Sequence, residues 1–154
     1  MKHKLLVILL GLVFCGMLYW YFIGIAPLTI RVNETMPNPA PGEEMIVLKQ
    51  GEFTAIDTIH KGSGTAKIVK SDEKYFLILE NFHVTNGPDL YVYLSKNKEI
   101  TNERALGEFK EIMQLKGNEG NQVYEITKEN AENFSSIVIW CKRFGVLFSS
   151  ATLV

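Results

Sequence analysis

The strongest constraint on the fold is a continuous apolar stretch at residues 5–26, which contains no charged side chain. As an α-helix it would be about 33 Å long, enough to cross the roughly 30 Å hydrocarbon core of a bilayer. Tyr19, Trp20 and Tyr21 lie towards its C-terminal end, and such amphipathic rings favour the headgroup boundary. The sequence therefore predicts one transmembrane helix over residues 5–26.

Two other interpretations of this stretch are a cleaved signal peptide and a lipoprotein signal. A cleaved signal has a shorter apolar region, and Pro27 directly follows the small residues at which cleavage would occur. A lipoprotein signal would use Cys15, but Phe14 stands where a small residue is expected. A retained membrane anchor is therefore the favoured interpretation.

The charges that flank the stretch predict its orientation. Lys2, His3 and Lys4 precede it, whereas Arg31 is the first basic residue after it. Basic residues favour the cytoplasmic side of a membrane span. We therefore expect a single-pass membrane protein with residues 1–4 in the cytoplasm and its C-terminal domain outside.

Residues 27–43 are rich in proline, with Pro37, Pro39 and Pro41 at alternate positions. This pattern favours extended, polyproline-like geometry. At about 3 Å per residue, the stretch can hold a domain some tens of Å from the membrane. We expect a plain spacer between the anchor and a domain formed by residues 44–154.

The remaining residues, 44–154, alternate short apolar runs with Gly, Asn, Asp and Lys. We expect strands at residues 46–48, 53–60, 65–69, 74–84, 90–95, 111–115, 122–126, 136–142 and 146–153. Short strands at this spacing, with turn signals between them, predict an all-β domain, either an antiparallel β-sandwich or a barrel-like fold. Helix is limited to single turns at residues 102–105 and 128–133.

Charge and residue content exclude several functional classes. The chain has 16 basic and 17 acidic residues, so no basic excess is present to neutralise nucleic-acid phosphates. Cys15 and Cys141 are the only two cysteines, which excludes a disulfide framework. No Gly-x-Ser-x-Gly or His-Glu-x-x-His motif occurs. The sequence favours a protein that is not a conventional enzyme and does not bind nucleic acid.

Cys141 is the main candidate for chemistry outside the predicted anchor. In its strand, alternation places Ile137, Ile139 and Cys141 on one face and Val138 and Trp140 on the other. Because both faces are apolar, we expect this strand to be central in the sheet.

Two interpretations of Cys141 stay open. It is either a buried cysteine that acts as a small hydrophobe, or a redox or ligand thiolate activated by Lys142 and Arg143 with Trp140 beside it. Without a second cysteine in its domain, a reactive Cys141 would work through a sulfenic acid, a mixed disulfide with a partner, or a metal.

His60 and His83 are the only histidines of the domain. With Cys141 and a methionine such as Met45 or Met113, they would form a ligand set that copper uses. The ligands are scattered along the chain, without the close spacing of a copper-binding loop. No cofactor is therefore predicted, and copper or another metal at His60, His83 and Cys141 is an alternative.

Two glycine-containing segments predict turns. Residues 62–64 (Gly-Ser-Gly) lack the third glycine and the following helix of a nucleotide-binding loop. We expect them to form a turn that His60 binds, with His83 on a strand face. Residues 86–89 (Asn-Gly-Pro-Asp) predict a second turn, with Gly87 at positive φ.

Six short motifs occur in a fixed order along the domain. They are Gly51-x-Phe53, His60-x-x-Ser63-Gly64-Thr65-Ala66, Asn86-Gly87-Pro88-Asp89-Leu90-x-Val92-x-Leu94, Leu115-Lys116-Gly117, Gln122-x-Tyr124 and Val138-x-Trp140-Cys141-Lys142-x-Phe144-x-Val146-x-Phe148. In this order, over residues 51–153, they resemble the DM-thirteen domain family, which is also called the electron-transfer DM-thirteen domain.

The resemblance implies a small all-β module outside the cytoplasm, with one characteristic cysteine that matches Cys141. It also implies a redox or electron-transfer role through that cysteine. Members of the family often carry haem-binding domains on the same chain. Since we expect only an anchor here, the electron donor or acceptor is expected to be a separate protein partner.

Three hypotheses about function follow. The first is an anchored redox module in which Cys141 exchanges electrons or thiol equivalents with a partner protein. The second is a non-catalytic interaction or adhesion module with Cys141 and Trp140 in its core. The third is a metal-binding carrier. Burial of the thiol under Trp140 and Phe144 would favour the second, and clustering of both histidines with the thiol would favour the third.

Overall fold

The computed structural model describes residues 2–24, 29–36 and 44–154. Its elements are α1 (Lys2–Gly24), β1 (Arg31–Asn33), β2 (Ile46–Ala55), β3 (Gly62–Ser71), β4 (Lys74–Val84), β5 (Leu90–Ser95), a 3-10 helix (Glu103–Leu106), β6 (Phe109–Gln114), β7 (Glu119–Ile126), α2 (Lys128–Asn133), β8 (Ser136–Cys141) and β9 (Val146–Thr152). Among the described residues, no helix combines the length and the apolar character needed to cross a membrane. The predicted anchor includes residues 25 and 26, which lie outside the described residues, and it stays a prediction.

The nine described strands form one curled sheet, a half-barrel, in the order β1-β7-β4-β3-β2-β9-β8-β5-β6. Neighbouring strands are antiparallel except β1 and β7, which run parallel. The prediction of a mostly β, barrel-like domain is confirmed in this coarser form. The two-sheet sandwich and the purely antiparallel arrangement are wrong, because a single sheet curls around the core and its edge strand comes from the predicted linker.

Several elements have the bounds that the sequence predicts. β4 and β5 agree residue for residue, and so does the single helical turn α2. The Thr127 hydroxyl caps α2 by accepting a hydrogen bond from the backbone N of Asn130 at 3.1 Å. β8 lies between β9 and β5, so the predicted central position of the Cys141 strand is confirmed.

The predicted strand over residues 53–60 ends earlier, at Ala55. Asp57 Oδ1 accepts hydrogen bonds from the backbone N of Ile59 and His60 at 2.7 and 2.6 Å. A side chain that bonds the backbone two and three residues ahead stabilises a turn instead of a strand. This local competition ends β2 and turns the chain towards β3.

Residues 62–64, predicted as a turn bound by His60, instead begin β3. The register against β4 shifts between Ser63 and Thr65, as at a β-bulge. His60 pairs with Asp57 in the preceding loop, at 2.7 Å between Nδ1 and Oδ2. The predicted contact of His60 with the Gly-Ser-Gly backbone is therefore replaced by a carboxylate contact.

Residues 29–36 belong to the predicted linker but pack on the domain. β1 pairs in parallel with β7, and the Glu34 carboxylate accepts hydrogen bonds from Lys116 Nζ and the backbone N of Val123, each at 2.8 Å. The structure therefore differs from the spacer prediction over residues 29–36. The proline-rich residues 37–43 lie outside the described residues.

Two apolar clusters lie on opposite sides of the sheet. The inner cluster fills the curl with side chains from β2 to β5 and from β7 to β9, together with α2. The outer cluster lies against β5, β8 and β9. Its buried members are Tyr93, Ile100, Leu106, Val138 and Leu147. Strand β8 therefore contributes to both clusters, one through each of its faces.

Candidate functional site

Cys141 is the last residue of β8 and lies on the inner face of the sheet. It is fully buried and belongs to the same cluster as Ile137 and Ile139, whereas Val138 and Trp140 belong to the outer cluster. The predicted division of the two faces of β8 is confirmed. Period-two alternation decides it, since successive side chains of a strand point to opposite faces.

The burial of Cys141 does not come from Trp140 or Phe144. Trp140 faces the opposite side of the sheet, and Phe144 is 67% exposed. The condition that these two side chains cover the thiol is therefore not met. Instead, the curl of the sheet encloses Cys141 within the inner cluster.

The end of the barrel near Cys141 is closed by the loop between β4 and β5. A Cβ at Gly87 would lie 2.7 Å from the Leu90 side chain and 2.8 Å from the Phe148 ring, so a larger residue there would require these side chains to shift. The predicted positive φ at Gly87 is not observed; the constraint there is steric. The His60 ring packs edge-on against Phe148, with 4.6 Å between ring centroids.

A short hairpin joins β8 to β9 directly after the thiol. The backbone N of Gly145 donates to Cys141 O, and the backbone N of Lys142 donates to Asp89 O, each at 2.9 Å. Residues 142–145 are exposed, and a Cβ at Gly145 would meet nothing within 4 Å. The thiol is therefore sealed inside the core but lies next to a loosely packed surface turn.

Four aromatic rings form a cluster on the outer face of β5, β6 and β8. Tyr93 stacks on Phe109 with 4.9 Å between centroids and on Trp140 with 6.2 Å, and Tyr91 meets Tyr93 edge-on at 6.5 Å. Trp140 and Tyr91 are half-buried and Phe109 is 47% exposed. This outer aromatic cluster is accessible to a partner without any opening of the fold.

Glu111 and Lys142 form the charged rim of the outer aromatic cluster. Lys142 Nζ lies 2.9 Å from the Glu111 carboxylate and 4.7 Å from the centroid of the Tyr91 ring, and Tyr93 Oη donates to Glu111 Oε2 at 3.2 Å. The hydrogen bond from Lys142 lowers the pKa of Glu111. Burial, followed by the hydrogen bond to Glu111, raises the pKa of Tyr93 to about 12.

The two histidines of the domain each pair with a different carboxylate. His60 contacts Asp57, and the backbone hydrogen bond from His60 is the largest of the effects that lower the pKa of Asp57 to about 2. His83 Nδ1 lies 3.4 Å from Glu119 Oε1. Among the described residues, no three His, Cys, Asp or Glu side chains are grouped so that they could hold a metal ion. The structure thus does not bring His60, His83 and Cys141 together as a metal site.

The comparison with protein-family models decides the identity of this β domain. The family described as "Electron transfer DM13" matches residues 52–153. The chain belongs to the DM-thirteen electron-transfer family. The predicted resemblance is therefore confirmed, with nearly the same boundaries. No curated protein and no solved structure matches the chain.

The structure adds residues to the DM-thirteen domain that the sequence did not single out. Phe109 and Glu111 join the outer aromatic cluster because β6 pairs with β5 in the register Ser95–Phe109 and Tyr93–Glu111. The sequence indicates the β5 part of this cluster, because Tyr91 and Tyr93 alternate along one strand. The other half depends on a strand register that the sequence does not reveal.

Proposed function

We propose that this protein is a membrane-anchored electron-transfer module whose domain lies outside the cytoplasm and whose redox group is the Cys141 thiol. The observation that carries the proposal is the family match, because the matched residues 52–153 contain a single cysteine. The uncharged length of residues 5–26 and the basic residues before it support the anchor and its orientation.

Of the routes open to a lone thiol, exchange with a disulfide of a second molecule is the one proposed. The Cys141 thiolate attacks a disulfide of a partner protein, a new S–S bond forms, the partner's S–S bond breaks, and the partner's second sulfur leaves as a thiolate. The thiol proton passes to solvent. Attack by the released thiolate reverses the step, so Cys141 passes reducing equivalents to the partner and takes them back.

Burial of Cys141 requires that the end of β8 opens before exchange. The adjacent hairpin is exposed and is closed by backbone hydrogen bonds at Lys142 and Gly145. Local openings of such surface elements cost less free energy than global unfolding. Exchange is therefore slow in the closed fold and is gated by the hairpin at residues 142–145.

Trapping of the mixed disulfide tests the redox role. Cells that express the full chain are quenched with acid, alkylated, and analysed for disulfide-linked adducts. We expect a reductant-sensitive adduct in the native chain and in Cys15→Ser, and none in Cys141→Ser. Absence of an adduct in all three would overturn the redox proposal.

The anchor is tested separately by carbonate extraction and protease protection. We expect the chain to stay in the membrane pellet, with the domain cut only from the outer side. Release by carbonate, or a mature N-terminus within residues 15–28, would contradict a retained anchor and would favour one of the processed forms.

A second candidate function is an interaction module without redox chemistry. The complete burial of Cys141 and the partly exposed outer aromatic cluster favour it. In that case Cys141→Ser lowers stability without removing any adduct, while Trp140→Ala weakens partner binding. The metal-binding carrier has no comparable support, since the described residues contain no group of three metal ligands.

A further inference from the structure

The register of the sheet places the start of β1 and the Cys141 hairpin at the same end of the barrel. β1 begins beside the start of β7, which pairs with the end of β4. The end of β8 pairs with the starts of β5 and β9. We call the end formed by the start of β1 and the loops at residues 56–61, 85–89, 115–118 and 142–145 the tether end.

Backbone hydrogen bonds connect the loops of the tether end. The loop at residues 115–118 bonds to the end of β4 and to Ile30, whose N donates to Asn118 Oδ1 at 2.7 Å. The loop at residues 85–89 bonds to both neighbours, through Lys61 O and through the backbone N of Lys142. The start of β1 and these loops therefore move together as one end of the barrel.

Chain length then limits how far the tether end can stand from the membrane. This step rests on the proposed anchor over residues 5–26. Ile30 follows the end of that anchor by four residues, which reach at most about 14 Å when fully extended. Each headgroup region is itself roughly 5–8 Å thick. Ile30 must therefore lie within roughly 10 Å of the headgroup surface, not tens of Å above it.

The side chains of the tether end suit a lipid interface. Ile59 is 70% exposed and Phe144 is 67% exposed, each at a loop tip. Lys61 and Arg143 are exposed beside them and form no ion pair with any described residue. Aromatic and aliphatic tips flanked by free cations are typical of surfaces that bind anionic bilayers.

The opposite end of the barrel also exposes apolar side chains, including Ile46 at 55% and Val154 at 87%, so exposed apolar area does not choose between the ends. Charge does not choose either, because both ends carry exposed side chains of both signs. Asp72, Glu73, Glu129 and Glu132 lie near Lys74 and Lys128 at the opposite end, and Asp57 lies near Lys61 at the tether end. Chain length does choose, because the proposed anchor joins the domain at Ile30.

We propose that the tether end docks on the bilayer, with Phe144 and Ile59 in the interface and Arg143 and Lys61 against anionic headgroups. The hairpin that covers Cys141 then faces the membrane. A partner disulfide must accordingly belong to a membrane protein that presents it at the same interface. Docking thus selects the class of redox partner, and soluble disulfides are poor substrates.

Depth-dependent fluorescence quenching tests the orientation. The full chain with Trp20→Phe is reconstituted in phosphatidylcholine–phosphatidylglycerol vesicles with brominated acyl chains. We expect the fluorescence added by Phe144→Trp to be quenched several-fold more than that added by Glu73→Trp, whose position at the opposite end is 97% exposed. Equal quenching at both positions, or none at either, would overturn the docking proposal.

Charge reversal supplies the matched control. In the Phe144→Trp background, Arg143→Glu is expected to reduce the quenching in anionic vesicles, whereas Lys98→Glu, at the opposite end, is expected to leave it unchanged. An equal effect of the two reversals would contradict headgroup contact at the tether end.

Carbonate extraction of the same vesicles separates the anchor proposal from the docking proposal. A chain that is released refutes the anchor itself, and a retained chain with equal quenching refutes only the docking.

Discussion

The two faces of β8 contain neighbouring residues in opposite environments. Cys141 on the inner face is sealed in the core, whereas Trp140 on the outer face is half-buried in an aromatic cluster that solvent reaches. A partner can contact Trp140 without any change in the fold, but it reaches Cys141 only after the strand end opens. The difference teaches that, under the proposed function, recognition on the outer face of this strand would need no opening of the fold, whereas redox exchange on the inner face would carry the free-energy cost of opening.

The largest expected effect is a difference in stability between substitutions on the inner and outer faces of β8. Ile139 is fully buried on the inner face, and Ile139→Ala should lower the free energy of unfolding by about 2–5 kcal/mol, since it removes packed methyl groups and leaves a cavity. Trp140→Phe on the outer face should cost less than about 1.5 kcal/mol. Guanidinium unfolding of both variants in detergent, followed by circular dichroism, measures the two values. Equal costs would contradict the contrast between the faces.

Cys141→Ser sharpens the comparison on the inner face. A hydroxyl in place of the buried thiol should cost about 1–3 kcal/mol, visible as a lower thermal midpoint. Cys15→Ser is the matched control and should leave the domain's midpoint unchanged. If Cys141→Ser melts like the native chain, the thiol is not buried as the structure describes.

Lys142→Met tests the charged rim on the outer face. It removes the ion pair with Glu111 and the contact with the Tyr91 ring. Because solvent screens a pair at an exposed position, the loss of stability should be a small fraction of that caused by Ile139→Ala. Arg143→Met, which removes no ion pair with a described residue, should leave stability unchanged. If Lys142→Met destabilises the domain as much as Ile139→Ala does in the same unfolding measurement, the charged rim is buried and not solvent-exposed.

The smallest effect concerns pH. The pKa of Tyr93 is raised to about 12, first by burial and then by Glu111, so the neutral phenol is favoured in the folded state. The resulting stability is present below the usual tyrosine pKa of about 10 and is lost as pH rises through the folded value. Burial also raises the pKa of Tyr124, so phenolate absorbance should show two late-titrating tyrosines. One of them is expected to be absent in Tyr93→Phe and to titrate earlier in Glu111→Gln. An unchanged titration in Glu111→Gln would exclude the role of that carboxylate.

Sequence patterns within a single strand predicted the faces of β8, but they did not predict the turn at Asp57 or the pairing of β1 with β7. Alternation predicts the two faces of β8, since it depends only on the period of a strand. The Asp57 turn was missed because a side chain competes with the strand backbone for hydrogen bonds. The pairing of β1 with β7 was also missed. Its contacts join residues 88 positions apart, as between Arg31 and Glu119. In addition, a strand of three residues is too short to show the alternation of apolar and polar side chains.

The opening of the β8–β9 hairpin is the central claim, and the alkylation rate of Cys141 tests it most directly. In a Cys15→Ser background, Gly145→Ala strains the hairpin, where φ is +65° and an added Cβ meets no other atom within 4 Å. It should cost about 1–2 kcal/mol. Gly107→Ala, at the opposite end, should cost at least as much, because φ is +59° there and the added Cβ would also overlap the Asn97 side chain.

If opening is local, Gly145→Ala accelerates alkylation by about 5- to 30-fold in native buffer, and Gly107→Ala does not. If instead Gly107→Ala accelerates alkylation as much as Gly145→Ala or more, Cys141 is exposed only by global unfolding. The thiol is then a structural core residue, and the redox proposal fails.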